Sequence, residues 1–252
     1  MWTLDAAGAA MDQGILQGRA AQTQILRDLK ARRARAGWFN WNRTRRRASR
    51  LNARPADRCL PQLAEREQGI AEGAALRPGV LAAIALSQRI RASGRICVGC
   101  LTGDLDNADL AGQLLFRLSA PDEVGLRSLE LVAPAWAGCW AGVNEAGVAA
   151  VVLEEFGGPG PRAALYAQDL LFRASELRAG LHHLETRSRY AGGSGSLLVA
   201  DESGAAARVD LTRGRFEVSE LSPDAVAEPA RSQLRIDLRS RRLEFSGERA
   251  EL

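Results

Sequence analysis

Two cysteines and one arginine near the middle of the sequence are the residues best suited to nucleophilic chemistry. Cys97 and Cys100 form a C-x-x-C motif in a predicted strand over residues 96–101, and Arg117 follows Cys97 by twenty residues. If a hairpin turn pairs this strand with a return strand over residues 113–119, the arginine lies beside a thiol. A neighbouring positive charge lowers the pKa of cysteine from about 8.5 and favours the nucleophilic thiolate. Buried strands also use cysteine as a small apolar residue, which is the competing interpretation.

The other thiols and the histidines give no metal site. The sequence contains four cysteines, Cys59, Cys97, Cys100 and Cys139. Zinc needs more ligands than one C-x-x-C supplies, and the only histidines are the adjacent pair at 182 and 183. The N-terminus has neither the basic nor the apolar region of a signal peptide, so we expect reduced thiols and a cytoplasmic protein. No metal and no cofactor are expected.

The composition is that of an ordinary globular protein with one substantial core. The chain has 252 residues, of which 46% are hydrophobic and 25% charged. Its net charge of +4 comes almost wholly from arginine, since Lys30 is the only lysine. Together with abundant alanine and glycine, this bias indicates a GC-rich coding origin rather than a particular ligand. The longest apolar runs fall far short of the roughly 20 residues that span a membrane, so no membrane partner is expected.

The predicted elements change in character close to Cys97. Residues 1–96 are predicted to be a helical N-terminal segment, and residues 97–252 a sheet-bearing region around one long helix over 161–187. Alternating or continuous apolar runs predict further strands at 128–132, 147–153, 196–200, 206–211 and 215–218. The polar sequence after residue 220 predicts a short strand or an irregular tail. This order of elements indicates a mixed α/β (α+β) fold.

Five short motifs occur in an order that resembles a known enzyme family. They are GILQG at 14–18, GIAEGA at 69–74, the turn containing Gly103, Asp104 and residues 107–112, GVNEAG at 142–147, and LVADESG at 198–204. Their order and the position of Cys97 resemble the N-terminal-nucleophile hydrolases, and among them the isopenicillin N acyltransferase-like family of linear amide C–N hydrolases. The resemblance covers most of the chain.

The resemblance implies a four-layer αββα sandwich and a cysteine that autoproteolysis exposes as a new N-terminus. The α-amine of that cysteine, with a pKa of about 7.7 to 8, then acts as the base for its thiol. The thiol attacks a small-molecule amide or acyl substrate to form an acyl-enzyme, which water hydrolyses or an amine intercepts. Residues 1–96 become a prosegment or small chain.

The resemblance implies that Cys97 is the nucleophile and that Arg117 is the supporting basic residue. Cys100 is the alternative nucleophile, because Gly99 and Cys100 reproduce the Gly-Cys junction of some members. Cys97 is preferred at this point because it keeps the spacing to the hairpin turn.

Several positions depart from the family pattern. Neither cysteine is followed by the usual threonine or serine, and Leu118 and Ser119 replace the asparagine and aspartate expected after the arginine. Glu154 and Glu155 stand where an asparagine is often found, and no Thr-Asn pair is visible between residues 210 and 231. Loss of one such oxyanion donor costs about a hundredfold or more in turnover. A catalytically inactive homologue that serves as a binding or scaffold module is therefore the first alternative.

An arginine-rich segment over residues 32–50 suggests a second alternative. Its arginines and aromatic residues are Arg32, Arg33, Arg35, Arg43, Arg45, Arg46, Arg47, Arg50, Trp38, Phe39 and Trp41. Arginine interleaved with aromatic side chains is the composition of a nucleic-acid or anionic-surface patch. The interpretation we prefer is a solvated helix whose aromatic side chains dock on the core, so a nucleic-acid partner is not expected. The segment can also contact a second subunit in a homo-oligomer.

Overall fold

The computed structural model describes residues 2–87, 90–97, 99–106, 113–122, 125–155, 161–212, 215–222 and 233–252, with side chains except at 38, 47, 49–58, 85–87 and 212. The predicted turn at 107–112 lies outside these residues. The helices are α1 (Ala10–Ala20), α2 (Gln22–Cys59), α3 (Pro61–Gly73), α4 (Pro78–Ser87), α5 (Ala163–Arg173) and α6 (Leu177–Ala191). The strands are β1 (Thr3–Gly8), β2 (Ala92–Cys97), β3 (Cys100–Leu105), β4 (Leu115–Pro121), β5 (Ser128–Val132), β6 (Ala141–Asn144), β7 (Ala149–Glu154), β8 (Ser194–Ala200), β9 (Ala206–Thr212), β10 (Arg215–Glu220), β11 (Leu234–Asp237), β12 (Arg242–Phe245) and β13 (Glu248–Glu251).

The strands form two sheets. The larger has eight strands in the order β1-β4-β5-β6-β7-β8-β9-β10, and the smaller has five in the order β13-β12-β11-β3-β2. Only β1 runs parallel to its neighbour, β4, whereas the other described pairs are antiparallel. Most antiparallel neighbours follow one another in sequence, as expected for strands joined by short turns.

The two sheets pack face to face through apolar side chains. The Trp140 and Phe245 rings meet edge to face, with centroids 5.5 Å apart. At Gly94 on β2 the sheets come so close that a Cβ atom would lie 2.8 Å from Leu153 Cδ2 and 3.1 Å from Leu198 Cδ2. The interior of the molecule therefore lies largely between the sheets.

Helices cover the opposite face of the large sheet. At Gly142 on β6, a Cβ atom would lie 2.6 Å from Leu171 Cδ1 of α5. On the small sheet, Ile236 and Leu243 are buried while Arg235 on the other face of β11 is exposed. The layers of the described part of the chain thus run from helices to large sheet to small sheet, in a mixed α+β fold.

Most of the predicted strands are confirmed, and some helical predictions need correction. The strands predicted at 128–132, 147–153, 196–200, 206–211 and 215–218 coincide with β5, β7, β8, β9 and β10 within a few residues. The long helix predicted at 161–187 is two helices, because Ala174 at the end of α5 has an extended backbone. The N-terminal segment is not only helical, since β1 joins the large sheet. The tail after residue 220 contains β11, β12 and β13.

None of the described helices combines the length and the apolar character that crossing a lipid bilayer requires.

Candidate thiol site at the β2–β3 hairpin

Cys97 and Cys100 flank a tight turn that joins two neighbouring strands. Cys97 ends β2, Cys100 begins β3, and the two residues are direct cross-strand partners. Both are nearly buried, with 6% and 3% of their surface exposed. Gly99 has a φ of 78°, a left-handed conformation that glycine adopts without steric cost. The single strand predicted over 96–101 is therefore wrong, since the turn divides it.

The carbonyl group immediately before Cys100 accepts a backbone hydrogen bond that extends the β3–β11 ladder by one residue. The backbone N–H of Leu238 donates to the Gly99 carbonyl oxygen at 3.0 Å. Leu238 directly follows β11, whose residue Asp237 pairs with Cys100. An N–H group on a carbonyl oxygen stabilises the negative charge that forms there when a nucleophile attacks the carbonyl carbon.

The sheet register sets the neighbours of the Cys100 side chain. Cross-strand partners share one face of a sheet, so Cys97 lies on one side of Cys100 and Asp237 on the other. The Ser240 backbone N–H donates to Asp237 Oδ1 at 2.9 Å and, as the largest contribution, lowers the pKa of the Asp237 carboxyl. A carboxylate ionised at neutral pH thus shares the face of the Cys100 thiol.

Arg117 lies in the other sheet, inside a buried polar network. It is fully buried on β4, and its cross-strand partner on β5 is Glu130. Arg117 Nε donates to Glu130 Oε2 at 2.5 Å, and its two terminal nitrogens donate to the amide oxygens of Gln17 and Gln168, each at 2.6 Å. Further bonds to the carbonyl oxygens of residues 136 and 137 complete its set of acceptors.

These contacts separate Arg117 from the two predicted nucleophiles. Gln17 is on α1 and Gln168 on α5, so Arg117 faces the helices. The Cys97–Cys100 pair shares a face of the small sheet with Asp237, whereas Ile96 and Leu101 occupy the face that meets the large sheet. The predicted hairpin between the cysteine strand and the Arg117 strand is wrong, because β3 pairs with β2 and β11 instead.

Glu130, the acidic partner of Arg117, is not among the site residues predicted from the sequence. Ser119, Ser128 and Gln168 all donate hydrogen bonds to its carboxylate. Burial raises the pKa of this carboxyl, but the positive charges of Arg117 and Arg66 and these hydrogen bonds outweigh burial and lower it overall. A carboxylate in the centre of the otherwise apolar segment LEL at 129–131 was the available sequence signal.

A second arginine and a third cysteine belong to the same buried network. Arg66 on α3 donates to the Gln13 side chain of α1, while its Nε and Nη1 have no hydrogen-bond partner among the described residues. Burial and the charge of Arg117 lower the pKa of Arg66 to about 9. Burial and the Glu130 charge raise the pKa of Cys139, the thiol close to this network. Cys139 is therefore a protonated thiol and a poor nucleophile.

One of the glutamates at the expected asparagine position has a structural role. Arg162 Nε donates to Glu155 Oε2 at 2.9 Å, and the backbone N–H of Ala164 donates to Glu155 Oε1 at 2.9 Å. Ala164 lies in the first turn of α5, whose free N–H groups favour a carboxylate. Glu155 thus caps this helix.

A polar cavity lies between the sheets at the far end of β2. It has a volume of about 410 Å³, and its lining includes Arg91, Ser93, Asp106, Glu154 and Arg208. Neither Cys97 nor Cys100 lines it. Gly94, the lining residue of β2 nearest to the thiols, is three residue steps from Cys97, or roughly 10 Å at about 3.3 Å per step.

The Glu130 network predicts a loss of stability in acid. The folded pKa of Glu130 lies below its unfolded value of about 4.5, so its contribution is present above that pH and is lost as the pH falls further. The urea midpoint of the wild type is expected to fall steeply below about pH 4.5, and less steeply in Glu130→Gln, which cannot ionise. Equal pH slopes in the two proteins would contradict this assignment.

Comparisons with known proteins give weak structural neighbours only. No protein-family model matches the chain, and no curated protein matches it. Penicillin V acylase from Agrobacterium tumefaciens is similar over 39% of this chain and 36% of its own, with 22% identity and a TM-score of 0.32. Two variants of conjugated bile acid hydrolase from Clostridium perfringens are similar over 40% of this chain and 39% of their own, with 13% and 12% identity and TM-scores of 0.29. The chain thus spans about two fifths of the length of these structures.

Proposed function

We propose that the chain is a thiol-dependent amide (C–N) hydrolase or acyltransferase that cleaves itself between Gly99 and Cys100. The observation that carries the proposal is the hydrogen bond from the Leu238 N–H to the Gly99 carbonyl oxygen. It polarises the carbonyl group that a thiol on Cys100 would attack. Cys100 therefore replaces Cys97, which the spacing in the sequence favours, as the proposed nucleophile.

Self-cleavage needs the β2–β3 hairpin, Asp237 and Leu238 at the end of β11, and one water molecule. The Cys100 sulfur attacks the Gly99 carbonyl carbon, the Gly99–Cys100 C–N bond breaks, and the leaving nitrogen takes up the thiol proton. Asp237, ionised and on the same face, is the proposed carrier of that proton. Water then hydrolyses the thioester, which leaves a Gly99 carboxylate and a Cys100 with free thiol and α-amine.

The new N-terminus supplies the catalyst for an external substrate. An α-amine with a pKa of about 7.7 to 8 is a suitable base for the adjacent thiol at neutral pH. Attack on an amide carbonyl gives an acyl-enzyme, which passes the acyl group to water or to an amine. Residues 1–99 remain attached through the β2–β3 and β1–β4 ladders. This chemistry agrees with the resemblance to the N-terminal-nucleophile hydrolases, whose four-layer αββα sandwich is part of the proposal.

Intact-mass spectrometry tests the cleavage directly. Freshly purified protein is expected to contain two fragments, residues 1–99 and 100–252, and Cys100→Ala is expected to remain a single chain because it lacks the attacking sulfur. Cys97→Ala is the matched control, since it removes the cross-strand thiol and leaves the nucleophile. It is expected to be cleaved like the wild type.

The other outcomes separate the alternatives. Fragments divided before Cys97, abolished by Cys97→Ala, would transfer the nucleophile to Cys97. A wild-type chain that stays whole after prolonged incubation at pH 7 to 9 would overturn the proposal.

A second candidate is an inactive homologue that binds a ligand or acts as a scaffold. Two observations favour it. The described hydrogen-bonding groups of Arg117 are all engaged by acceptors on the helix side of the sheet, and the polar cavity at the far end of β2 does not include the thiols. An uncleaved chain that still binds a small polar ligand would support this candidate.

A further inference from the structure

Helix α2 concentrates positive charge to an unusual degree. Its 38 residues contain eleven arginines, one lysine and only two acidic residues, a formal charge of +10. The whole chain carries +4, so all the other residues together carry −6. Arginine is abundant throughout the chain, but the net positive charge is concentrated in the two helical parts of α2, which the non-helical Gly37 (φ 70°) joins. Such segregation is typical of a surface that binds a polyanion.

The part of α2 after Gly37 has an apolar face on the core and a basic face in solvent. Trp41 and Ala48 are buried, and Thr44 and Arg45 beside them are half-buried. Phe39, Arg43 and Arg46 follow at spacings of four and three on the opposite face, and all three are exposed. Phe39 is 81% exposed, so it does not dock on the core as the sequence interpretation required.

The part of α2 before Gly37 also exposes positively charged side chains. Arg27, Lys30 and Arg33 are exposed at spacings of three, and Arg33 also stacks over the Trp41 ring at 5.8 Å. The acidic Asp28 of this part is buried and pairs with Arg32 at 2.7 Å. Asp28 is thus directed at Arg32, while Arg27, Lys30 and Arg33 expose their side chains to solvent.

We infer that α2 binds single-stranded nucleic acid, with Arg27, Lys30, Arg33, Arg43 and Arg46 on the phosphates and Phe39 stacked on a base. Exposed aromatic rings in a basic setting are the usual stacking platforms for unpaired bases. An anionic membrane surface fits less well, because an interfacial helix embeds an apolar face and the apolar face of this one is occupied by the core. This inference is independent of the proposed hydrolase activity.

Fluorescence anisotropy with a fluorescein-labelled 20-nucleotide single strand tests the inference on the full chain. The wild type is expected to bind with an affinity that falls steeply between 50 and 200 mM salt. Arg43→Ala/Arg46→Ala removes two phosphate contacts and is expected to reduce the slope of log K against log salt by about 1.4. The matched control is Arg178→Ala/Arg215→Ala, which removes two exposed arginines outside α2 and is expected to leave the slope unchanged.

Phe39 gives a second test that does not depend on charge. Phe39→Leu keeps an apolar side chain without a ring and is expected to weaken binding about fivefold or more, whereas Phe39→Trp retains it. No binding at 50 mM salt, or an equal loss in both double variants, would overturn the inference. Binding to phosphatidylserine vesicles but not to the oligonucleotide would reassign the surface to membranes. Dimerisation lost in Arg43→Ala/Arg46→Ala would reassign it to a second copy of the chain.

Discussion

Replacing Arg117 by methionine is expected to destabilise the protein by about 3–5 kcal/mol, a large part of a typical free energy of unfolding of 5–15 kcal/mol. The substitution leaves the fully buried Glu130 carboxylate without its cation, and leaves the Gln17 and Gln168 oxygens without a donor. Urea unfolding at pH 7 measures the loss. The matched control is Arg249→Ala, which breaks the exposed pair with Glu244 and is expected to cost at most about 1 kcal/mol.

A double variant distinguishes a buried ion pair from simple loss of packing. Arg117→Met/Glu130→Leu removes both charges, so it is expected to be more stable than Arg117→Met alone. Arg117→Lys keeps a charge but cannot reach all the acceptors of the guanidinium, and an intermediate loss is expected. If Arg117→Met instead unfolds like the wild type and loses only amide hydrolysis, Arg117 has the catalytic role that the family resemblance implies.

The strands were predictable because their apolar runs and turns are local properties of the sequence. β5 and β8 each contain a short run of leucine and valine, both are buried on both faces, and each was predicted within two residues. β1 was missed, although its residues alternate between exposed and buried, because it pairs with β4 across more than a hundred residues and half of it is alanine and glycine. The break between α5 and α6 was missed because the apolar spacing continues through Ala174 and Leu177.

The composition of the candidate site was predictable, but its arrangement was not. The C-x-x-C motif identified the two thiols, and the Gly-Cys junction identified the bond now proposed to be cleaved. Spacing alone cannot tell which strands pair, so Cys97 and Arg117 could be assigned to one hairpin although they belong to different sheets. The two residues between the cysteines are Val-Gly, a weaker hairpin signal than Asn-Gly or Asp-Gly. The turn between the cysteines was therefore not predicted.

The glycines of the GILQG and GIAEGA motifs allow helices α1 and α3 to pack in close contact. Gly14 and Gly18 of α1 cross Gly69 and Gly73 of α3 in direct backbone contact. A Cβ atom on Gly69 would lie 2.2 Å from the Met11 carbonyl oxygen, and one on Gly14 would lie 2.2 Å from the Arg66 carbonyl oxygen. This crossing brings Gln13 of α1 beside Arg66 of α3, and Gln17 of α1 accepts from Arg117, so the glycines position the buried network.

Gly69→Ala is therefore expected to destabilise the protein by about 1–3 kcal/mol or more, measured by urea unfolding. Helix propensity alone predicts the opposite sign, because alanine is about 1 kcal/mol better than glycine within a helix. Gly180→Ala in α6 is the matched comparison, since its new methyl group would meet the end of the flexible Leu170 side chain at 2.4 Å rather than backbone. A smaller loss is expected there. If Gly69→Ala stabilises the protein, α1 and α3 do not cross at these glycines, and the placement of Gln13 and Gln17 beside Arg66 and Arg117 has to be abandoned with them.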